Sequence, residues 1–149
     1  MKLNSLEEVL RFAIRKEADA AAFYRMAADR SNPGVKKMFK ELAKEEEGHK
    51  KKLERFDVKK LDRRAVKEAK GLGIAEVVED APFNSDMSYA DLLRMAIKNE
   101  ERSEQLYVST ARSVEDATLK KLLLFLAEQE TGHKKRLETI YDDDVLEEF

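Results

Sequence analysis

A chain of 149 residues has the size of one ordinary domain and is long enough to bury a hydrophobic core. Charged residues make up 40% of it and hydrophobic residues 42%, with only 5 Gly and 2 Pro, which is typical of long amphipathic helices and not of sheets. The formal net charge of −2 provides no basic field, so we expect neither nucleic acid nor a membrane surface as a partner. Because the chain has no Cys, a disulfide framework, a thiolate-ligated metal site and a nucleophilic thiol are excluded.

The apolar segments of the chain are short. The stretch from Met1 to Glu8 contains no continuous apolar run of the kind found in signal peptides, and no later run approaches membrane-spanning length. We therefore expect a cytoplasmic protein with a single all-α domain over residues 1–149.

Two helix-start signals in the first half of the chain predict an antiparallel helical hairpin over residues 6–56. Ser5 begins a capping box with the Glu three residues later, which predicts a first helix over about residues 6–30. Asn32, followed directly by Pro, suits the cap and the first position of a second helix over about residues 33–56. The short break between these helices turns the chain back on itself.

The second half of the chain predicts a matching hairpin over residues 89–141, followed by a short C-terminal tail. Ser88 begins a capping box with Asp91, which predicts a third helix that ends at about residue 112. Asp116 is the predicted cap of the fourth helix. The chain thus contains two hairpins in succession.

Residues 57–87 are the predicted connection between the hairpins, because Gly and Pro interrupt every helical pattern there. Residues 60–70 can form a short helix that ends at Gly71. Residues 74–78 can form one or two further turns that pack on the bundle.

The inward stripe of each predicted helix repeats apolar residues in steps of three and four, and polar residues interrupt every stripe. One constant shift along the chain lays the first helix on the third, and a second shift lays the second helix on the fourth. The chain is thus a duplicated hairpin, in which each copy brings one Glu and one Glu-x-x-His. Charged residues outside the stripes, such as Glu45, are predicted to be solvated. The polar residues that interrupt the inward stripes are Glu17, Glu46, His49, Glu100, Glu130 and His133.

Four helices of this kind predict a four-helix bundle with a long crossover, in which the interrupting residues meet at one level. Positions i and i+3 of a helix lie on one face about 5–6 Å apart, so each Glu-x-x-His can offer a carboxylate and an imidazole to one metal ion. Four buried carboxylates without partners are heavily penalised, whereas two divalent ions and two neutral His bring the site to neutrality. Iron or manganese suits these oxygen-rich ligands, and zinc is a possible substitute.

This ligand pattern is the one found in ferritin-like di-metal carboxylate proteins. The arrangement of all four helices resembles the rubrerythrin-like di-iron proteins, in a short form without the iron–sulfur rubredoxin module. The resemblance implies two iron ions as the cofactor, bridged by Glu46 and Glu130, with His49 and His133 as one nitrogen ligand for each. By the same resemblance, the terminal carboxylates are Glu17 and Glu100. The tyrosines that hold the carboxylates in position are Tyr24 and Tyr107.

One position departs from the family pattern. Rubrerythrins proper carry an extra Glu three residues after the ligand on the third helix, and the residue here is Ser103. Their exchange of a His ligand for that Glu has no acceptor in this chain unless Glu104 reaches in from the next position. Glu104 lies on the inward stripe where the first helix has Ala21, so it is either a fifth carboxylate near the metals or a residue on a wet edge.

Other features allow two interpretations each. Tyr24 and Tyr107 either hold metal-binding carboxylates or are core tyrosines whose hydroxyls bond elsewhere. Leu122, Leu124 and Phe125 add apolar surface outside the stripe of the fourth helix, and either the connection or a second copy of the chain covers it. We expect a homodimer, formed through this surface or by exchange of hairpins.

The resemblance implies an oxidoreductase that reduces hydrogen peroxide, or oxygen, with electrons from an external donor protein such as a rubredoxin. A chain without Cys cannot carry a rubredoxin centre of its own. A ferroxidase or iron-handling protein is one alternative function. A non-enzymatic helical module that keeps its metals for stability alone is the other.

Overall fold

The computed structural model describes residues 5–56, 80, 84 and 86–145. These residues contain four α-helices and no strand, which confirms the all-α prediction. Packing of the first helix on the second, and of the third on the fourth, confirms the paired hairpins of a ferritin-like bundle. The helices are α1 (Leu6–Arg30), α2 (Pro33–Glu54), α3 (Tyr89–Ala111) and α4 (Ala117–Asp144).

A side chain caps the N-terminus of each helix, as the sequence predicts. In every case its oxygen accepts a hydrogen bond from the backbone N–H three residues further on, which satisfies a group that the helix start leaves free. The capping residues are Ser5, Asn32, Ser88 and Asp116. These contacts determine where each helix begins, and therefore the level at which its middle residues lie.

Two helices end two or more residues from their predicted ends. α2 ends at Glu54 and not at residue 56, because its last turn tightens into a bond from the Phe56 N–H to the Leu53 carbonyl. α4 continues to Asp144 and not to residue 141, since contacts from α3 hold its last turn.

Those contacts join residues that are far apart in the sequence. The Arg94 guanidinium donates a hydrogen bond to the Tyr141 hydroxyl at 2.9 Å and lies 5.3 Å from the centre of the same ring. The Tyr89 hydroxyl lies 3.3 Å from the Asp144 carboxylate, and Val145 is buried. The end of α4 therefore depends on tertiary packing and not on local helix signals.

The core consists of two apolar clusters with a polar layer between them. On each of the four helices, the inward polar residues lie between a member of one cluster and a member of the other. Fully buried members are Leu6, Leu53 and Leu123 in the first cluster, and Phe39, Leu42 and Leu137 in the second. This arrangement surrounds the polar layer with hydrocarbon along the bundle axis.

Most of the predicted connection lies outside the described residues, as do the short helices predicted at 60–70 and 74–78. Within the connection, the Asp80 carboxylate lies 2.5 Å from the Lys16 ammonium of α1. No helix in the described ranges is both long and apolar enough to cross a bilayer.

The predicted apolar surface on α4 is only partly exposed. Leu122 is half-buried and packs on the first cluster, whereas Leu124 and Phe125 leave 49% and 40% of their surface accessible. The Lys52 ammonium lies 4.3 Å from the centre of the Phe125 ring, so a cation–π contact covers one face of that ring. A homodimer through this surface, or through exchanged hairpins, stays a prediction.

We expect Gly132→Ala to raise the free energy of unfolding by about 0.5–1 kcal/mol. Gly132 is an exposed residue of α4, and a Cβ at this position meets no atom of the described chain within 4 Å. Ala loses less backbone entropy than Gly in a helix, and no neighbour opposes its methyl group. Urea unfolding of both proteins, loaded with the same metal, measures the change. A loss of stability would mean that another surface packs against Gly132.

Candidate metal centre

Six polar side chains meet at one level between the two apolar clusters. α1 and α3 each contribute one Glu, and α2 and α4 each contribute a Glu and a His one turn apart. None of the six has more than 4% of its surface accessible. They are the predicted ligands Glu17, Glu46, His49, Glu100, Glu130 and His133. The structure thus brings all six together, while their binding of metal stays a prediction.

The six residues form two adjoining groups that could each hold a metal ion. Within each group, one potential ligand atom per residue lies within 4.8 Å of the others. The first group is Glu17, Glu46, His49 and Glu130, and the second is Glu46, Glu100, Glu130 and His133. Because Glu46 and Glu130 belong to both groups, they are the residues that could contact both ions, and their bridging role stays a prediction.

Each imidazole faces a shared carboxylate from the other hairpin. His49 Nδ1 lies 3.0 Å from Glu130 Oε1, and His133 Nδ1 lies 2.7 Å from Glu46 Oε1. The two imidazole rings stack with their centres 5.6 Å apart. The site is therefore built across the interface between the hairpins, and neither hairpin contains a complete group.

Buried atoms without hydrogen-bond partners show that the cluster fits cations. Each of the six residues has a fully buried side-chain oxygen or nitrogen that lacks a hydrogen-bond partner in the described chain. An unpaired buried carboxylate is heavily penalised, and divalent ions at the two positions remove that penalty. Carboxylate oxygens and imidazole nitrogens without thiolates suit iron or manganese. The residues present therefore fit a di-metal carboxylate site.

In the metal-free chain, protons on the buried side chains supply part of the positive charge that metal ions would bring. Burial, and then the charge of Glu100, raise the pKa of Glu46 and Glu130 well above the usual value for Glu. Burial lowers the pKa of His49, but its close contacts with the carboxylates of Glu130 and Glu17 outweigh that effect and raise the pKa to about 9. The shared carboxylates thus favour their protonated form until cations displace the protons.

Two buried tyrosines connect the hairpins at the same level. Tyr24 of α1 donates a hydrogen bond to Glu100 of α3, and Tyr107 of α3 donates one to Glu17 of α1 at 2.5 Å. Burial, and then the charge of the bonded Glu, raise the pKa of both phenols well above its usual value. The hydroxyls therefore stay protonated, and each donates to a predicted terminal ligand.

Glu45, predicted to be solvated, lies behind His133. The His133 ring directs Nδ1 toward Glu46, and its Nε2 lies 3.8 Å from a Glu45 oxygen. Arg136 holds Glu45 by an ion pair at 2.6 Å. At 3.8 Å this contact is electrostatic and not a hydrogen bond, and the negative charge favours a proton on Nε2, which leaves Nδ1 free to bind a metal. The sequence signal was Arg136, which follows His133 by three residues and so lies on the same helix face.

A chamber of about 450 Å³ lies between α1 and α3 and reaches the polar layer. Its inner end is lined by Glu46, Glu100 and Glu130, and its mouth by the exposed residues Asp19 and Ala22. Within the described part of the chain, the chamber therefore extends from exposed positions on α1 to the shared carboxylates.

The chamber wall contains an ion pair that no sequence pattern indicated. Lys16 is 7% exposed, and its ammonium is paired with Asp80 at 2.5 Å. A Lys is almost never so buried unless it is paired. Because Asp80 lies in the connection, only the folded structure places it beside Lys16.

The rubrerythrin family model matches residues 8–83 and 91–148, which include all six predicted ligands. The chain belongs to the rubrerythrin family. Among functionally curated proteins, none matches the sequence.

Two solved structures superpose on this rubrerythrin-family chain. A candidate ferritin-like diiron-carboxylate protein from Thermotoga maritima has a TM-score of 0.76 at 22% identity, with 97% of each chain covered. A hypothetical protein from Pyrococcus furiosus has a TM-score of 0.73 at 27% identity, with 93% of this chain and 89% of that chain covered. These likenesses confirm the ferritin-like fold, and the family together with the buried Glu/His cluster supports a di-iron protein.

The position of the extra Glu of rubrerythrins proper is part of the chamber wall. Ser103, which occupies it, is 8% exposed and lines the chamber beside Glu100. Glu104 is half-buried and belongs to neither group of potential ligands. Among the described residues, no fifth carboxylate therefore joins either group, and Glu104 lies at the edge of the stripe.

We expect metal removal to lower stability, and the loss to increase from about pH 5 to about pH 8. Glu46, Glu130 and His49 have raised pKa values in the metal-free fold. Such groups stabilise the fold fully below their unfolded pKa, about 4.3 for Glu and 6.5 for His, and this contribution is lost as pH rises through the folded pKa. Bound cations stabilise the deprotonated ligands instead. Thermal melts of chelated and metal-loaded protein at both pH values measure the gap, and equal midpoints would contradict the site.

We expect Glu45→Ala to weaken metal binding by at most about tenfold, because His133 loses the negative charge that lies beside its outer nitrogen. Glu41→Ala is the matched control, since Glu41 is exposed on α2 one turn earlier. Competition with a chelator of known affinity measures both dissociation constants. Equal affinities for the two variants would show that Glu45 does not support His133.

Proposed function

We propose that this rubrerythrin-family protein is a di-iron oxidoreductase that reduces hydrogen peroxide, or oxygen, with electrons from an external donor. The observation that carries the proposal is the pair of adjoining Glu/His groups that share Glu46 and Glu130. Two reduced iron ions held there would supply the two electrons that cleave one O–O bond. The chamber that reaches the shared carboxylates supports access for a small oxidant.

The chain contributes a fixed and largely dry set of side chains. The apolar clusters on either side of the polar layer limit water along the bundle axis, which strengthens electrostatic contacts within it. Tyr24 and Tyr107 hold the predicted terminal carboxylates from the opposite hairpin. Their phenols stay protonated, so they keep these carboxylates oriented whether or not the shared Glu residues carry protons.

We favour hydrogen peroxide over oxygen because the chain belongs to the rubrerythrin family. Ser103 offers no carboxylate to receive a metal that changes its position, and Glu104 lies outside both groups. We therefore propose that the reaction occurs with an unchanged ligand set. We propose that an external protein of the rubredoxin class supplies the electrons.

Rapid mixing of the anaerobically reduced, iron-loaded protein tests this proposal. We expect hydrogen peroxide to oxidise the protein at least about tenfold faster than oxygen, a barrier difference of roughly 1.4 kcal/mol. Glu130→Ala should abolish the reaction, because it removes a carboxylate shared by both groups. Glu104→Gln alters a carboxylate outside both groups and should react like the wild type. The absorbance of the oxidised iron pair measures each rate.

Two results would replace the proposal with an alternative. Oxygen that reacts as fast as peroxide, with ferric iron accumulating well beyond two ions per chain, would show an iron-handling protein. Bound iron that reacts with neither oxidant would show a module that uses its metals for stability.

A further inference from the structure

The chamber between α1 and α3 is much larger than hydrogen peroxide requires. Its volume is about 450 Å³, whereas about 10–15 Å³ of such space holds one water molecule. Hydrogen peroxide, with two oxygen atoms, needs roughly twice that space. Pockets of about 300–1,000 Å³ are typical of sites for small organic molecules. The size of the chamber thus indicates a ligand larger than peroxide.

Most of the chamber lining is apolar. Phe23 and Met26 of α1, Ala20 of α1 and Ala96 of α3 provide much of this surface. Phe23 and Ala96 are buried members of the second apolar cluster, so this part of the wall is firmly packed. An apolar ligand that covered this surface would be stabilised by the removal of that surface from water.

Polar groups line another part of the same chamber. Asn99 Oδ1 is buried and has no hydrogen-bond partner in the described chain. The Lys16 and Asp80 side chains are paired with each other, so together they add no net charge to the wall. Asp80 Oδ1 is likewise buried without a hydrogen-bond partner, so a neutral ligand with a hydrogen-bond donor matches the described lining better than an anion does.

We propose that this chamber binds an organic hydroperoxide and that the protein reduces it to the alcohol. The apolar body lies against Phe23 and Met26, and the hydroperoxyl group points toward the shared carboxylates Glu46 and Glu130. This inference rests on the proposed function, because the metal positions at the inner end of the chamber must perform the O–O chemistry.

The reaction balances with the reactants already named. The O–O bond of the hydroperoxide breaks and takes up two electrons from the reduced iron pair and two protons from solvent. One alcohol and one water leave, and the iron pair becomes ferric. The external donor protein then returns two electrons, one at a time.

The first test compares cumene hydroperoxide with hydrogen peroxide as oxidants of the reduced, iron-loaded protein. Ala20→Leu adds bulk inside the chamber, while Ala18→Leu makes the same change on α1 at a half-buried position outside it. We expect the ratio of the cumene hydroperoxide rate to the peroxide rate to fall at least about tenfold in Ala20→Leu and to stay within about twofold in Ala18→Leu. An equal ratio in both variants would overturn the inference.

The second test measures binding without turnover. Saturation-transfer NMR on the metal-loaded protein, with the product alcohol 2-phenyl-2-propanol, should show binding that weakens at least about tenfold in Ala20→Leu. Ser103→Val changes the wall from α3 and should weaken it too, which provides a second variant if Ala20→Leu does not fold.

The two tests separate failure of the inference from failure of the proposed function. Fast oxidation by hydrogen peroxide, with no alcohol binding, would overturn the inference alone. Specific alcohol binding, with no oxidation by either peroxide, would overturn the proposed function and the reduction step, while the binding site would stand.

Discussion

Four carboxylates buried between two apolar clusters impose the constraint on which the rest of the structure depends. Their charge must be neutralised by cations or by protons, because hydrocarbon on both sides cannot solvate it. The raised pKa values of Glu46 and Glu130 are the response of the metal-free chain to this constraint. Both hairpins must be docked to complete either group, so assembly of the bundle and assembly of the site are one event.

The sequence predicts this layer well because its residues break an apolar pattern that is otherwise continuous. A Glu at an inward position is conspicuous among Leu, Ala and Phe. The apolar stripe is interrupted at the same place in both repeats, at Glu17 and at Glu100, so the interruption is not a coincidence. The helix starts were equally predictable, since residues such as Ser5 and Asp116 act on N–H groups only three positions away. Local chemistry is sufficient for both features.

Features that depend on contacts between distant segments could not be predicted in the same way. The end of α4 depends on the Arg94 contact with Tyr141, which no local pattern encodes. Glu45 lies beside the inward stripe, and its position near the outer nitrogen of His133 follows from the way α2 and α4 come together in the fold. No sequence pattern indicates the chamber, because the volume between two helices depends on the side-chain sizes on both walls and on the distance between the helices.

The two repeats of the duplicated chain match closely in the metal layer and differ in the chamber. The shift that lays α1 on α3 pairs Glu17 with Glu100 and Tyr24 with Tyr107, which are identical residues. The same shift pairs Lys16 with Asn99 and Ala20 with Ser103. These pairs consist of unlike residues, and all four residues line the chamber. Two metal positions need equivalent donors on both sides, whereas a binding wall has no such need. The wall can therefore change its shape and polarity without disturbing the metal positions, and in the proposed function it is the part of the structure that would select which oxidant reaches them.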